Sequence, residues 1–91
     1  MLRIVISSQF KRDAKKAKRR GKDIDKLEAI VDHIAQRRTL PPHYRDHALT
    51  SNWRGYRECH IEPDWLLIYQ VNLDEKLLYL KRTGSHADLL E

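Results

Sequence analysis

Five consecutive apolar residues, Trp65 to Tyr69 within "CHIEPDWLLIY" (residues 59 to 69), limit this chain more than any other feature. Such a run, led in by Pro63 and Asp64, reads as a buried β-strand entered from a hairpin turn. The turn explains Pro63 and Asp64. It does not explain His60, or an indole set beside two carboxylates, and titratable chemistry is therefore expected at the mouth of this hairpin.

The rest of the chain is arranged around that strand. "LRIVIS" alternates and predicts a first strand over Leu2 to Ser7, with Leu2, Ile4 and Ile6 on one face. Ser7 or Ser8 can cap a helix through "QFKRDAKKAKRR" that ends at Gly21. Asp23 caps a second helix with a strong apolar stripe of Ile24, Leu27, Ile30, Val31 and Ile34, and the prolines of "LPPHY" stop it. The period then changes. "WRGYRECHI" predicts a strand, "EPD" a turn, "WLLIYQV" the buried strand, "NLDE" a turn and "KLLYLKRT" a last strand, before the short tail "GSHADLLE". The 91 residues suffice for one small domain, 1–91, and the order β-α-α-β-β-β predicts an α+β fold. In it two helices pack on one face of an antiparallel-rich, four-stranded sheet.

Lys and Arg number 18 against 13 Asp and Glu, a net charge of +5 that favours an anionic partner. The excess is concentrated. Residues 11 to 22 carry eight Lys or Arg and one Asp on a helix with little apolar face, Phe10, Ala14 and Ala17. Lys11, Lys15, Lys16, Lys18, Arg19 and Arg20 are the expected phosphate contacts, with Arg57 in the strand region. Such contacts supply affinity and salt dependence, not sequence choice. One cysteine, Cys59, excludes an intrachain disulfide and makes a thiolate zinc site untenable. No apolar run approaches a membrane span and no signal peptide is evident, so a cytoplasmic protein without membrane contact is expected.

Of five histidines, His33 reads as a helix residue and His43 as a loop residue, whereas His47, His60 and His86 all lie near strand ends, with Asp64 and Arg82 close by. Three histidines and Asp64 make a conceivable zinc set, but neither H-E-x-x-H nor a close helical His pair is present, and metal is the weaker reading. Alternation places Cys59 and His60 on opposite faces, which rules against a Cys–His nucleophile. Histidines, an arginine and a basic groove suit RNA cleavage, with no cofactor required. The ribose 2′-OH attacks the adjacent phosphate, one histidine takes its proton, another protonates the leaving oxygen, and an arginine stabilises the phosphoryl charge. An exposed Trp65 would stack on a base.

"YRDHAL", "WRGYRECHIEPDWLLIY" and "LKRTGSHADLL" together resemble the YafQ branch of the RelE superfamily of bacterial type II toxins, in order and over almost the whole chain. The resemblance implies a microbial-RNase-like fold and an endoribonuclease that cuts messenger RNA in the ribosomal A site, usually without metal. It also implies a cognate antitoxin that blocks the site. By position, the family's catalytic histidines match His47, His60 and His86, its acidic partner Asp64, its strand arginine Arg82 and its tryptophan Trp65. Two departures stand out: Ala48 where relatives often have proline, and Leu90 where they often end in an aromatic. A toxin of the gyrase-binding ParE branch is the runner-up, and a plain nucleic-acid-binding module a third reading that leaves the histidines idle.

Overall fold

The computed structural model describes residues 1–90, Leu90 by its backbone alone. The side chain of Leu90, on which the base-stacking expectation turned, lies outside the described residues. The order of elements is β1 (Arg3–Ile6), α1 (Ser8–Arg19), α2 (Ile24–Ala35), β2 (His47–Ala48), β3 (Arg57–Glu62), β4 (Trp65–Asn72), β5 (Leu77–Gly84) and α3 (His86–Leu90). Both cap expectations hold. Ser7 Oγ accepts from Phe10 N (2.9 Å) and Asp23 Oδ1 from Asp25 N (3.0 Å). At the end of α1, Gly21 takes φ +84°, which lets Lys22 N–H reach back to the Ala17 carbonyl (3.0 Å).

The sheet runs β1-β5-β4-β3-β2, with β1 parallel to β5 and every other pair antiparallel. It has five strands where four were expected. The fifth is a two-residue edge strand, His47–Ala48, paired with Glu58 and Arg57. It is too short to show a period in sequence. The strand expected over 53–61 begins only at Arg57, because Ser51–Trp53 form a 3₁₀ turn and Gly55 takes φ +92°.

β4 explains why the apolar run is continuous. Trp65, Leu67 and Tyr69 pack with Phe10 and Ala17 of α1 and with Leu27, Ile30, Val31 and Ile34 of α2. Leu66 and Ile68 face the other way, under Leu89 of α3 and beside Leu49, Trp53 and Tyr56. Both faces of this strand are covered, so none of its first five side chains can be polar. Trp65 is 1% exposed, and its indole N–H donates to Thr83 Oγ1 (3.0 Å). The expectation that Trp65 offers a ring to an RNA base is therefore corrected: the residue next to the turn is core.

Candidate active site

Strand register brings the hairpin mouth and the tail together. His60 pairs with Leu66, and Leu66 with Gly84, so β5 leaves the sheet two strands away from His60 and on the same row. Two residues later His86 opens α3. Its ring centroid lies 5.7 Å from that of His60. Asp64, the second residue of the turn, accepts on one oxygen from both the backbone N–H (3.0 Å) and the Nδ1 (2.8 Å) of His86. The His86 N–H, followed by its ring, holds the Asp64 carboxyl below the usual carboxylate range. His60 Nδ1 faces the Pro63 carbonyl at 3.3 Å. A carbonyl only accepts, so Nδ1 of His60 carries hydrogen, as does the Nδ1 that His86 gives to a carboxylate. Each ring thus keeps its Nε2 for another partner. A bulge at Ile61, between the pairs His60–Leu66 and Glu62–Trp65, turns the strand just where the site begins.

His47 lies two rows further along, in register with Glu58, Ile68 and Arg82, with the row of Cys59, Leu67 and Thr83 between. Its Nε2 is 3.1 Å from the buried Glu58 and its Nδ1 2.6 Å from the Arg45 carbonyl. Of the three histidines predicted from sequence, the structure brings His60 and His86 together, while His47 stands apart, paired with Glu58 at the start of β3 on the side away from α1 and α2.

Arg82 is brought to the edge of this site but is not free there. β1 stops at Ile6, so the upper half of β5 has α1 rather than a strand beside it, and Asp13 of α1 takes the strand's place. Asp13, 7% exposed, accepts from Arg82 Nε (2.7 Å) and Nη2 (3.2 Å), from Thr83 N (3.2 Å) and from Gln9 (3.0 Å). A groove of about 250 Å³ opens beside this pair. Arg12, Lys16, Arg19, Arg20 and Lys22 line one wall, and Arg82, Asp64 and Asp88 lie opposite. It joins the basic helix to the histidine pair through Asp64.

The basic residues of α1 divide into two sets. Lys16 and Arg20 reach Asp88 of α3 at 3.4 and 2.8 Å, clasping the tail to the helix. Lys11, Lys15, Lys18 and Arg19 are exposed and form no ion pair among the described residues. Arg57 is placed elsewhere. It points to the same side of β3 as the buried Cys59 and Ile61, opposite His60, and its Nε donates to Asp46 (3.2 Å). The structure does not bring Arg57 to the histidines. Cys59 is buried and its thiol is pushed up to about 12 by that burial, in keeping with a residue that takes no part in proton chemistry. Among the described residues no three His, Cys, Asp or Glu side chains gather as a metal would need, and no helix is long and apolar enough to cross a membrane.

Three acidic residues escaped sequence reading: Asp13, Glu58 and Asp88. Asp13 looked like a lone charge in a basic helix. Only Asp88 left a local signal, since Ser85 and Asp88 stand three apart at the start of a short apolar run. They form a reciprocal cap, Ser85 N–H to Asp88 (3.1 Å) and Asp88 N–H to Ser85 Oγ (3.1 Å). The Ser85 N–H, ahead of Arg20 and Lys16, pulls the Asp88 carboxyl well below the usual carboxylate range. A depressed carboxyl stabilises the fold above its unfolded value, 3.8, and the stabilisation is lost as pH falls below it. Between about pH 5 and pH 2 the melting temperature should thus fall more steeply for the parent than for Asp88→Asn. Parallel pH profiles would show that the clasp contributes nothing to stability.

The chain is thus a small α+β sheet domain with a short terminal helix, a pair of histidines at the hairpin mouth and a basic groove reaching them through Asp64. Residues 2–91 match the family described as "Bacterial toxin of type II toxin-antitoxin system, YafQ". The chain belongs to that family. It is 47% identical over 87 residues to the protein named mRNA interferase toxin YafQ of Escherichia coli strain B/BL21-DE3, covering 94% of this chain and 92% of the relative. Among solved structures, YafQ from E. coli BL21(DE3) superposes with a TM-score of 0.92 at 42% identity, and the toxin in the E. coli DinJ-YafQ complex with 0.89 at 44%. Both cover the whole of each chain.

Proposed function

We propose that this protein is an endoribonuclease, the toxin of a type II toxin–antitoxin pair, that cleaves messenger RNA held in the ribosomal A site. The observation that carries the reading is the pair of imidazoles whose centroids lie 5.7 Å apart, each with Nδ1 occupied and Nε2 without a partner among the described residues. A phosphodiester lying across the two rings would meet one Nε2 as acceptor and the other as donor. The 2′-OH attacks the phosphorus and its proton goes to the bare Nε2 of one neutral ring, while the other ring, as imidazolium, gives its Nε2 proton to the departing 5′ oxygen, leaving a 2′,3′-cyclic phosphate. Asp64 orients His86 for this by holding its Nδ1. Arg82, anchored by Asp13 through Nε and Nη2, still has guanidinium hydrogens for the phosphoryl oxygens. In this reading His47, two rows along the same strand, adds a third imidazole to the RNA path. The exposed Lys11, Lys15, Lys18 and Arg19, with Lys16 and Arg20 beyond their clasp, supply a positive face for ribosomal RNA phosphates.

The shape of the site supports dependence on the ribosome. Trp65 is buried, His86 half exposed and His60 only partly exposed, so the chain offers little surface on which to fix a flexible RNA, and presentation of the codon falls to the ribosome in this reading. A cognate antitoxin is the second partner of this reading, as the complex of a close structural neighbour with DinJ supports. Expression in cells, with cut sites mapped on translated and untranslated forms of one message, tests the proposal. Cuts confined to the translated form, in register with codons, are expected. Equal cutting of both forms would remove the ribosome from the mechanism. Growth arrest without any cut would favour a non-nuclease toxin of the same fold.

A further inference from the structure

We propose that Glu58 is the positioning residue for His47, holding its Nε2 within the sheet face so that Nδ1 is the nitrogen offered to RNA. The inference rests on the reading of this site as an RNA-cleaving centre and adds a group to it. Glu58 is 4% exposed, on a strand whose cross-strand neighbour is the fully buried Ile68. A carboxyl in such a place is costly unless both oxygens are satisfied. Here only one is: Oε2 meets His47 Nε2 at 3.1 Å, while Oε1 is buried with no hydrogen-bond partner among the described residues. For packing alone, an amide or an apolar side chain of that size would do as well or better. The half-satisfied carboxyl marks a site where stability gives way to something else.

The protons around His47 show what that is. Its Nδ1 lies 2.6 Å from the Arg45 carbonyl, which can only accept, so Nδ1 carries hydrogen in this arrangement. For the Nε2 contact to be a hydrogen bond, a further proton must lie between Nε2 and Oε2. The two ring nitrogens are not equivalent. Nε2 is directed at a buried group, and no substrate reaches it without expelling Glu58. Nδ1 makes an exposed contact to a backbone only two residues away, and the His47 side chain is 50% exposed. A ribose or phosphate oxygen can take the carbonyl's place there. With Nε2–H kept on Glu58, Nδ1 exchanges a proton with the substrate while the ring stays in one orientation, as when a buried carboxylate holds a catalytic imidazole. His47 needs such a hold, because its strand is two residues long and lies at the sheet edge.

The test compares Glu58→Gln and Glu58→Met with His47→Gln in the full chain. Cleavage of ribosome-bound message, melting curves and ¹⁵N spectra of the imidazoles are the readouts. Glu58→Gln should melt at or above the parent's temperature, since it removes a buried charge with an unpartnered oxygen. It should lower kcat by up to ~10⁴-fold, the loss seen when the carboxylate that holds a catalytic imidazole becomes an amide, and leave KM unchanged. The His47 Nε2 resonance should move toward the unprotonated position. Glu58→Met, which packs without a hydrogen bond, should show the same kcat loss. Fully active Glu58 variants beside an inactive His47→Gln would overturn the positioning role and leave the cleavage reading standing. A fully active His47→Gln would overturn both for this residue. Loss of activity that tracks loss of melting temperature in both Glu58 variants, with the His47 resonance unmoved, would make Glu58 merely structural.

Discussion

Replacing His86 by glutamine is expected to lower cleavage of ribosome-bound message by ~10²–10⁴-fold, the span for a general acid or base. The fold should be almost untouched. His86 is half exposed, glutamine can still donate to Asp64, and the backbone N–H that Asp64 also accepts remains in place. The same loss is expected for His60→Gln, because each ring supplies the one free Nε2 on its side of the phosphate. The double variant should be little worse than either single one, since two groups that act in one proton relay are not additive. His33→Gln serves as the control: its Nε2 contacts the Thr39 carbonyl (3.1 Å), and it belongs to α2 on the other side of the sheet. Single-turnover cleavage on ribosome complexes, beside melting curves, measures all four. Full activity of His86→Gln would end its assignment as a catalytic residue.

Removing the Asp13 carboxyl should be the most destabilising single change outside the apolar core. Asp13→Ala leaves Arg82, 23% exposed at its side chain, without its counter-ion and leaves the buried Thr83 N–H without an acceptor. Breaking a largely buried pair from one side costs about 3 kcal/mol or more. In a domain this small that corresponds to a fall on the order of 15 °C in melting temperature. Asp13→Ala combined with Arg82→Met should recover part of the loss, because the uncompensated charge is then gone. Urea unfolding of the four members of this cycle gives the coupling directly. A loss below about 1 kcal/mol for Asp13→Ala would place the pair among surface contacts of no consequence. The Asp13–Arg82 pair also bears on function, since it sets where the guanidinium stands relative to the groove.

Much of this molecule is written in short stretches of sequence, and those parts were legible. Ser7 and Asp23 cap helices because a side-chain oxygen reaches a backbone N–H two or three residues on, an interaction that needs no other part of the chain. The stripe of α2 and the hairpin at Pro63–Asp64 are local for the same reason. The histidines could be placed near strand ends from strand lengths alone, and the family motif added which of them belong together. What tertiary structure decided involves partners far apart in the chain. Asp13 meets Arg82 across 69 positions, and Lys16 meets Asp88 across 72. Neither pairing leaves a period or a spacing to read. Trp65 shows the same limit from the other side. Beside a turn and two carboxylates its indole looked available to a base, but the long strand β5 brings Thr83 under its N–H and the helices cover its ring. The edge strand His47–Ala48 exists only because β3 offers it a free ladder, and with it comes the contact between His47 and Glu58. Sequence thus determined the elements, their caps and the residue types available for chemistry. Tertiary structure decided which carboxylate holds which base, because a buried charge takes whatever partner the packing of distant elements leaves within reach.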